Sequence, residues 1–128
     1  MTVLDASAVL ALLQDEPGAD AVEDAIDGGA IISAVNFSEV LTKMADAGAS
    51  PGRAIDLILG LFVEVVPFGL PAAHDGAAIR ALEPRSGLSL GDRACLSRAR
   101  HRGQPVLTAD LTWIELADSL EVDARAIR

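Results

Sequence analysis

The sequence predicts an α/β fold in which a mainly parallel sheet of about four to five strands is flanked by helices. Three observations lead to this prediction. Short apolar runs alternate along the chain with segments of helical periodicity. Two of these runs end on an aspartate, Asp5 and Asp110, and helix-forming residues follow each of them. The chain has 128 residues, of which 51% are hydrophobic, so we expect one domain over residues 1–128 with a sizeable core.

The first part of the chain has the pattern strand, helix, helix, strand, helix. Pro17 and the Gly28–Gly29 pair are typical stop signals for the two short helices. The third helix carries apolar residues at spacings of three and four, which indicates one buried face. The predicted elements are a strand over 2–4, helices over 7–13 and 19–26, a strand over 30–33 and a helix over 33–44.

The second part continues the alternation. Pro51 suits the first position of a helix that Ser50 caps, and a stripe of Ile55, Ile58, Leu59 and Phe62 is expected to be buried. Later, Ser89 is a candidate cap and Trp113 a candidate core residue. The predicted elements are a helix from 51, a strand over 63–67, helices over 71–82 and 88–100, a strand over 106–110, a helix over 113–116 and an edge strand near 120–122.

Charge and cysteine content narrow the function classes. The net charge is −9, which argues against loose, non-specific binding to nucleic acid, because that binding depends on Lys and Arg. Cys95 is the only cysteine, so no intrachain disulfide can form and a reducing compartment is expected. The amino terminus has neither a signal peptide pattern nor a membrane span. We therefore expect a cytoplasmic protein.

Four acidic residues stand out by their positions. Asp5 and Asp110 each end a predicted strand, whereas Glu39 and Asp92 lie near the amino ends of helices. In a parallel α/β fold these positions share one edge of the sheet, where ligands bind. Carboxylates held together repel one another unless a cation binds, and oxygen donors suit Mg²⁺ or Mn²⁺. His74, His101 and Cys95 lack zinc-ligand spacing, and the sequence has no Gly-rich phosphate loop.

Each of these acids also has a purely structural interpretation. Short acidic side chains often cap helices or stabilise turns, and a glutamate often pairs with a lysine one helical turn away. The interpretations are a helix cap for Asp5, an exposed pair with Lys43 for Glu39, a capping box with Ser89 for Asp92 and a turn residue for Asp110.

The segments around the four acids resemble the PIN-domain family, and most closely the VapC-type toxins of bacterial type II toxin–antitoxin systems. No single segment is distinctive, but their order and spacing together match the family over nearly the whole chain. The matching segments are VLDASA at 3–8, VNFSEV at 35–40, LGD at 90–92 with the helix after it, and VLTAD at 106–110 with Trp113.

This resemblance implies a metal-dependent endoribonuclease that hydrolyses RNA phosphodiester bonds. Asp5, Glu39, Asp92 and Asp110 would be the catalytic, metal-binding acidic quartet, with Mg²⁺ or Mn²⁺ as the cofactor. A metal pair of this kind can activate water and stabilise a leaving oxygen. Three further residues match positions that support the quartet, and these are Ser7, Asn36 and Thr108.

The resemblance also implies partners. The family forms homodimers and binds a cognate antitoxin protein that occupies the active-site groove. RNA would be the substrate, no membrane would be involved, and DNA would be contacted only indirectly, through the antitoxin.

Two other enzyme or binding classes share part of this pattern. A haloacid-dehalogenase-like phosphatase ends its first strand on an aspartate but has a second aspartate where this chain has Ser7, and it needs a lysine after a late strand. A response-regulator receiver needs the same lysine, yet Lys43 is the only lysine here. A catalytically inert, protein-binding PIN-like domain is the remaining alternative, although such a domain is expected to have lost part of the quartet.

Overall fold

A computed structural model describes residues 1–128 and confirms the predicted α/β class. Five strands form one sheet in the order β3-β2-β1-β4-β5, and every neighbouring pair is parallel. The strands are β1 (Thr2–Leu4), β2 (Ala30–Ser33), β3 (Glu64–Val66), β4 (Val106–Thr108) and β5 (Ala124–Ala126). The helices are α1 (Ala6–Leu13), α2 (Ala19–Asp27), α3 (Ala34–Asp46), α4 (Pro51–Leu59), α5 (Leu70–Leu82), α6 (Leu90–Arg102) and α7 (Thr112–Leu120).

Alternate residues of the central strands pack on opposite faces of the sheet, as the two-residue period of a strand requires. Leu4 and Ile32 face the helices α1 to α4, within a core cluster that also contains Val9 and Val40. Val3 and its neighbours face the helices α5 to α7 in a second cluster. Because both faces are covered, the central strands are almost entirely apolar.

Strand order places a crevice beside β1. The chain proceeds from β1 outward to β2 and β3, and it later returns to the other side of β1 with β4 and β5. The carboxyl ends of β1 and β4 therefore lie next to each other at the point where the direction of winding changes. Ligands bind at such points in open α/β sheets.

The predicted edge strand near 120–122 is wrong. Helix α7 continues through Leu120, which is fully buried in the second core cluster. Glu121 then adopts a left-handed conformation with φ 55°, and its N–H bonds to the last carbonyls of the helix. The edge strand forms only afterwards, where Ala124 pairs with Val106. The packing of Leu120 in the core thus extends the helix beyond residues 113–116, the range predicted from the sequence.

The predicted buried stripe of α4 is also wrong in part. Ile58 is buried, together with Ala54, but Ile55, Leu59 and Phe62 are 38%, 54% and 89% exposed. The helix ends at Leu59 with Gly60 as its cap, so Phe62 lies beyond it in a turn and cannot continue the helical stripe. None of the seven helices is long and apolar enough to cross a membrane.

Candidate active site

The four acids singled out by sequence line one cleft at the carboxyl edge of the sheet. The cleft has a volume of about 250 Å³. Thr108 lies just beneath it rather than on its surface, because its side chain is fully buried. The lining residues are Asp5, Ala6, Ser7, Leu10, Asn36, Glu39, Lys43, Asp92 and Asp110.

Asp5 is the most rigidly held of the four acids. Its Oδ1 accepts hydrogen bonds from the Ser7 hydroxyl at 2.7 Å and from the Ala8 N–H at 2.8 Å. Its Oδ2 accepts one from the Thr108 hydroxyl at 2.6 Å. The bond from the Ala8 N–H makes Asp5 the N-cap of α1. The structural interpretation of Asp5 as a helix cap is therefore correct.

Burial raises the pKa of the Asp5 carboxyl above its usual value of 3.8. The hydrogen bonds from Thr108, Ser7 and Ala8 oppose that shift, because they stabilise the ionised form, while the nearby charge of Asp92 adds to it. Burial therefore makes ionisation of Asp5 less favourable than in water, and a bound cation would counteract this effect.

The same hydroxyls tie the end of β1 to the end of β4. The Ala109 N–H donates to Ser7 Oγ at 2.9 Å, and the Asp110 N–H donates to Thr108 Oγ1 at 2.9 Å. Through Ser7 and Thr108, these bonds link Asp5 to the backbone amides of Ala109 and Asp110. Ser7 and Thr108 thus fix the relative positions of the two strand ends that carry acids.

Asn36 positions Glu39 against α6. Its Nδ2 donates to Glu39 Oε1 at 2.8 Å and to the Gly91 carbonyl at 2.9 Å, while its Oδ1 is buried without a partner. A Cβ at position 91 would lie 2.6 Å from the Glu39 carboxylate carbon, so only glycine leaves room for this arrangement. Gly91 lies in the matching segment at 90–92, but the sequence analysis assigned it no role, because the contact with Glu39 depends on how α3 and α6 pack.

Asp92 and Asp110 each combine a local structural bond with a place in the cleft. Asp92 Oδ2 accepts from the Ser89 N–H at 2.9 Å, and Ser89 Oγ accepts from the Asp92 N–H at 3.1 Å, which is a complete capping box. Asp110 Oδ1 accepts from the N–H and the hydroxyl of Thr112. The structural interpretations are therefore correct for both residues, and they coexist with a position in the cleft.

The basic residues near the end of α6 do not join this cleft. Arg100 Nε donates to the Leu120 carbonyl at 3.0 Å, at the carboxyl end of α7. His101 lies 3.4 Å from Asp75 of α5. Arg100 thus complements the carboxyl end of a helix.

The donor set of the cleft suits a hard divalent cation. All of its candidate ligands are oxygen atoms, and neither histidine nor cysteine lines it. No three Asp, Glu, His or Cys side chains lie close enough to form a ready-made coordination group. Glu39 and Asp110 are exposed, so their side chains can move toward a cation, whereas Asp5 is buried and fixed.

Several solved structures have the same fold, and some of them are named as toxin–antitoxin complexes or systems. One, of FitAB bound to an IR36 DNA fragment, is 21% identical with a TM-score of 0.78, and the match covers 99% of this chain and 95% of that one. A DNA-bound VapBC from Salmonella typhimurium is 20% identical with a TM-score of 0.76, covering 99% and 98%. VapBC-5 from Mycobacterium tuberculosis is 22% identical with a TM-score of 0.61, covering 99% and 97%. At these identities the likeness shows the fold alone.

A comparison with curated protein sequences finds no match. The sequence model of the PIN domain, in contrast, matches residues 2–119, which includes all four acids. PIN domains are typically nucleases, and they generally use divalent metal ions. The match spans most of the chain and agrees with the resemblance noted in the sequence, so this chain belongs to the PIN-domain family.

Proposed function

We propose that residues 1–128 act as one metal-dependent endoribonuclease, the toxin of a toxin–antitoxin pair, which hydrolyses RNA phosphodiester bonds. The observation that carries this proposal is the convergence of Asp5, Glu39, Asp92 and Asp110 on one cleft in a PIN-domain chain. The buried, hydrogen-bonded state of Asp5 supports it, because a nearby cation would favour the ionised form that burial disfavours.

Asp5, Glu39, Asp92 and Asp110 would hold Mg²⁺ or Mn²⁺. Such an ion supplies Lewis acidity and neutralises charge that develops on phosphodiester oxygens. The chain itself contributes positioning. Ser7, Thr108 and the Ala8 N–H fix both oxygens of Asp5.

Helices α3 and α6 position two further acids, Glu39 and Asp92. Asn36 holds Glu39 Oε1 and the Gly91 carbonyl with the same amide nitrogen, so Glu39 stays against the turn that carries Asp92. The capping box leaves Asp92 Oδ1 without a bond to the protein and free to face the cleft. Asp5 is held in place by its hydrogen bonds, and the other three acids each have a carboxylate oxygen that is free of hydrogen bonds. Such an arrangement suits a site whose side chains move toward a bound cation.

The test of this proposal is the shift in melting temperature that Mn²⁺ causes in the wild type and in Glu39→Gln. Glutamine can keep the bond from Asn36 but loses the charge, so we expect the shift to shrink strongly and the cleavage of RNA to fall at least tenfold. Differential scanning fluorimetry and a gel assay with RNA measure the two effects.

Glu23→Gln is the matched control, since Glu23 is an exposed glutamate on α2 away from the cleft. It should behave as the wild type. An equal Mn²⁺ shift in the wild type and Glu39→Gln would remove Glu39 from the metal site and leave the phosphatase reading open. A wild type that shows no shift and no cleavage would favour the inert protein-binding domain.

The proposal includes the partners and the compartment implied by the family: a homodimer, a cognate antitoxin, contact with DNA only through that antitoxin, and a cytoplasmic location.

Exposed apolar side chains on and after α4 support the protein–protein contacts in this proposal. Ile55 and Leu59 lie one turn apart on α4, and Phe62 follows them. If this surface forms an interface, Leu59→Asp should shift the mass measured by light scattering toward the monomer or weaken antitoxin binding. A variant with wild-type mass and antitoxin affinity would exclude this surface from both contacts.

A further inference from the structure

A second, wider cavity adjoins the acidic cleft. Its volume is about 680 Å³, within the range of roughly 300–1,000 Å³ that ligand cavities occupy. Glu39 and Lys43 line both cavities, so the two are neighbours along α3. The residues of the wider part, which we name the α3 groove, are Ala34, Val35, Ser38, Glu39, Thr42, Lys43 and Phe68.

Lys43 stands at the junction of the two cavities with a free charge. It is the only lysine of the chain, and its side chain is exposed. The pairing with Glu39 that the sequence suggested does not form, because none of the salt bridges involves Lys43. An unpaired cation at the edge of the acidic cleft is available to an anionic group that reaches it.

Phe68 is the aromatic residue that lines the α3 groove. The ring is partly buried, yet it belongs to neither core cluster. Its Cζ lies 3.9 Å from the position that a Cβ at Gly76 would take, so α5 supports the ring from behind. Ser38 and Thr42 also line the groove, and the Thr42 hydroxyl donates to the Ser38 carbonyl at 2.8 Å.

We propose that the α3 groove binds the segment of single-stranded RNA next to the bond that is cut. Lys43 contacts a backbone phosphate and Phe68 stacks on an unpaired base. This inference rests on the proposed ribonuclease function and assigns two residues, Lys43 and Phe68, that position the RNA strand at its site. An unpaired strand is required because a ring at the protein surface can stack only on a base that is not enclosed in a duplex. With a net charge of −9, RNA binding must depend on such local contacts rather than on overall attraction.

The experiment compares cleavage of a short, fluorescently labelled single-stranded RNA with cleavage of the same RNA annealed to its complement, in Mn²⁺ and at several salt concentrations. Lys43→Gln should raise KM and flatten the slope of log KM against log salt by about 0.7, the value of one phosphate contact on a single strand. Lys43→Arg should restore most of the slope. Phe68→Ala should raise KM by roughly 5- to 150-fold, the range of one base–aromatic stack, with kcat kept within a few fold.

Controls separate binding from folding. Phe68→Trp keeps an aromatic surface and should retain a KM near that of the wild type, and melting temperatures show whether Phe68→Ala is folded. Arg80→Gln removes an exposed cation on α5 that lines neither cavity, so it should change neither KM nor the salt slope. The Mn²⁺ shift in melting temperature should be at least as large in Lys43→Gln as in the wild type, because the acidic quartet is intact.

The failures of the two proposals are distinguishable. An active wild type whose KM and salt slope are unchanged by Lys43→Gln and Phe68→Ala would overturn the α3 groove and leave the acidic site standing. Equal cleavage of the duplex and the single strand would overturn the proposed substrate class. A wild type that neither binds Mn²⁺ nor cleaves RNA would overturn the ribonuclease itself.

Discussion

Gly91 shows how the absence of a side chain can position a carboxylate. The Glu39 carboxylate lies in the space that a Cβ at position 91 would fill, and Asn36 holds it there. Because α6 carries this glycine one residue before Asp92, the same turn brings two acids of the cleft together. Gly91, which has no side chain, thereby determines where the carboxylates of Glu39 and Asp92 lie.

Gly91→Ala should displace Glu39 while the fold stays intact. Alanine favours helices over glycine by about 1 kcal/mol, which offsets the crowding, and the exposed Glu39 side chain can swing aside. A displacement of the order of 1 Å at a reacting centre can reduce the rate about 100-fold. We expect RNA cleavage to fall by about that factor with little change in melting temperature, measured by gel assay and calorimetry.

The control for this prediction is Gly52→Ala on α4, where a Cβ would meet nothing within 4 Å. It should leave cleavage unchanged and stabilise the protein by up to about 1 kcal/mol. Full activity in Gly91→Ala would show that Glu39 does not need its observed position.

At the scale of the element, the amino end of α6 has two separable functions. Ser89 and Asp92 form a capping box, which satisfies N–H groups that the first turn of a helix leaves unpaired. Asp92 also lines the cleft, and only one of its carboxylate oxygens is used in the capping box. Substitutions at these two positions can separate the stability of the helix from the chemistry of the site.

Asp92→Glu keeps the charge and the capping box, because glutamate is the usual acid at this position of the box. The metal-free melting temperature should therefore change little. The longer side chain moves the carboxylate, so the Mn²⁺ shift and RNA cleavage should both fall if Asp92 binds the cation. Thermal denaturation with and without Mn²⁺ measures both outcomes.

Ser89→Ala should show the opposite pattern. Loss of the cap costs about 1 kcal/mol and lowers the metal-free melting temperature by roughly 4 °C, whereas the Mn²⁺ shift should persist. Identical behaviour of Asp92→Glu and Ser89→Ala would mean that Asp92 acts only as part of the capping box.

At the scale of the whole molecule, the sheet order decides how deeply each acid is buried. β1 is the central strand, with β2 and β4 on its two sides, so Asp5 at its end is covered by the helices of both faces. Asp110 follows β4 and stays exposed. The topology therefore gives one acid a raised pKa and leaves the others accessible to solvent.

The pH dependence of stability should show this difference. Since the pKa of Asp5 is raised in the fold, the folded protein retains a proton over a pH range in which the unfolded chain has released it. The free energy of unfolding of the metal-free protein should fall as pH rises from about 3.8 through the folded pKa of Asp5. Asp5→Asn should lack this fall, melt higher than the wild type near neutral pH and lose RNA cleavage.

Denaturant titrations across that pH range, without metal, test this prediction. Asp123, whose pKa the Arg125 guanidinium lowers, contributes a trend of the opposite sign, but it is present in both proteins and cancels in the comparison. Added Mn²⁺ should stabilise the wild type more as pH rises, because it binds the ionised carboxylate. A parallel pH profile for wild type and Asp5→Asn would refute the raised pKa.

Sequence reasoning recovered most of the architecture. The strands at 2–4 and 30–33 and the caps Ser50 and Ser89 are as predicted, because buried strands and helix starts have short-range signatures. It failed where the outcome depended on distant packing. Leu120 extended α7 by contact with the second core cluster, and α4 exposed most of the apolar stripe that its spacing suggested was buried.

For the site, the sequence alone determined which acids end strands or begin helices, and the resemblance to a family indicated that they belong together. Only the tertiary structure decided that these acids line one cleft and that Asp5 is buried. It also decided how Glu39 fits against Gly91 and that Lys43 has no ion pair. The physical reason is sequence separation. Thr108 and Asp5 are 103 residues apart, and Asn36 and Gly91 are 55 apart, so no local pattern can report the hydrogen bonds that join them.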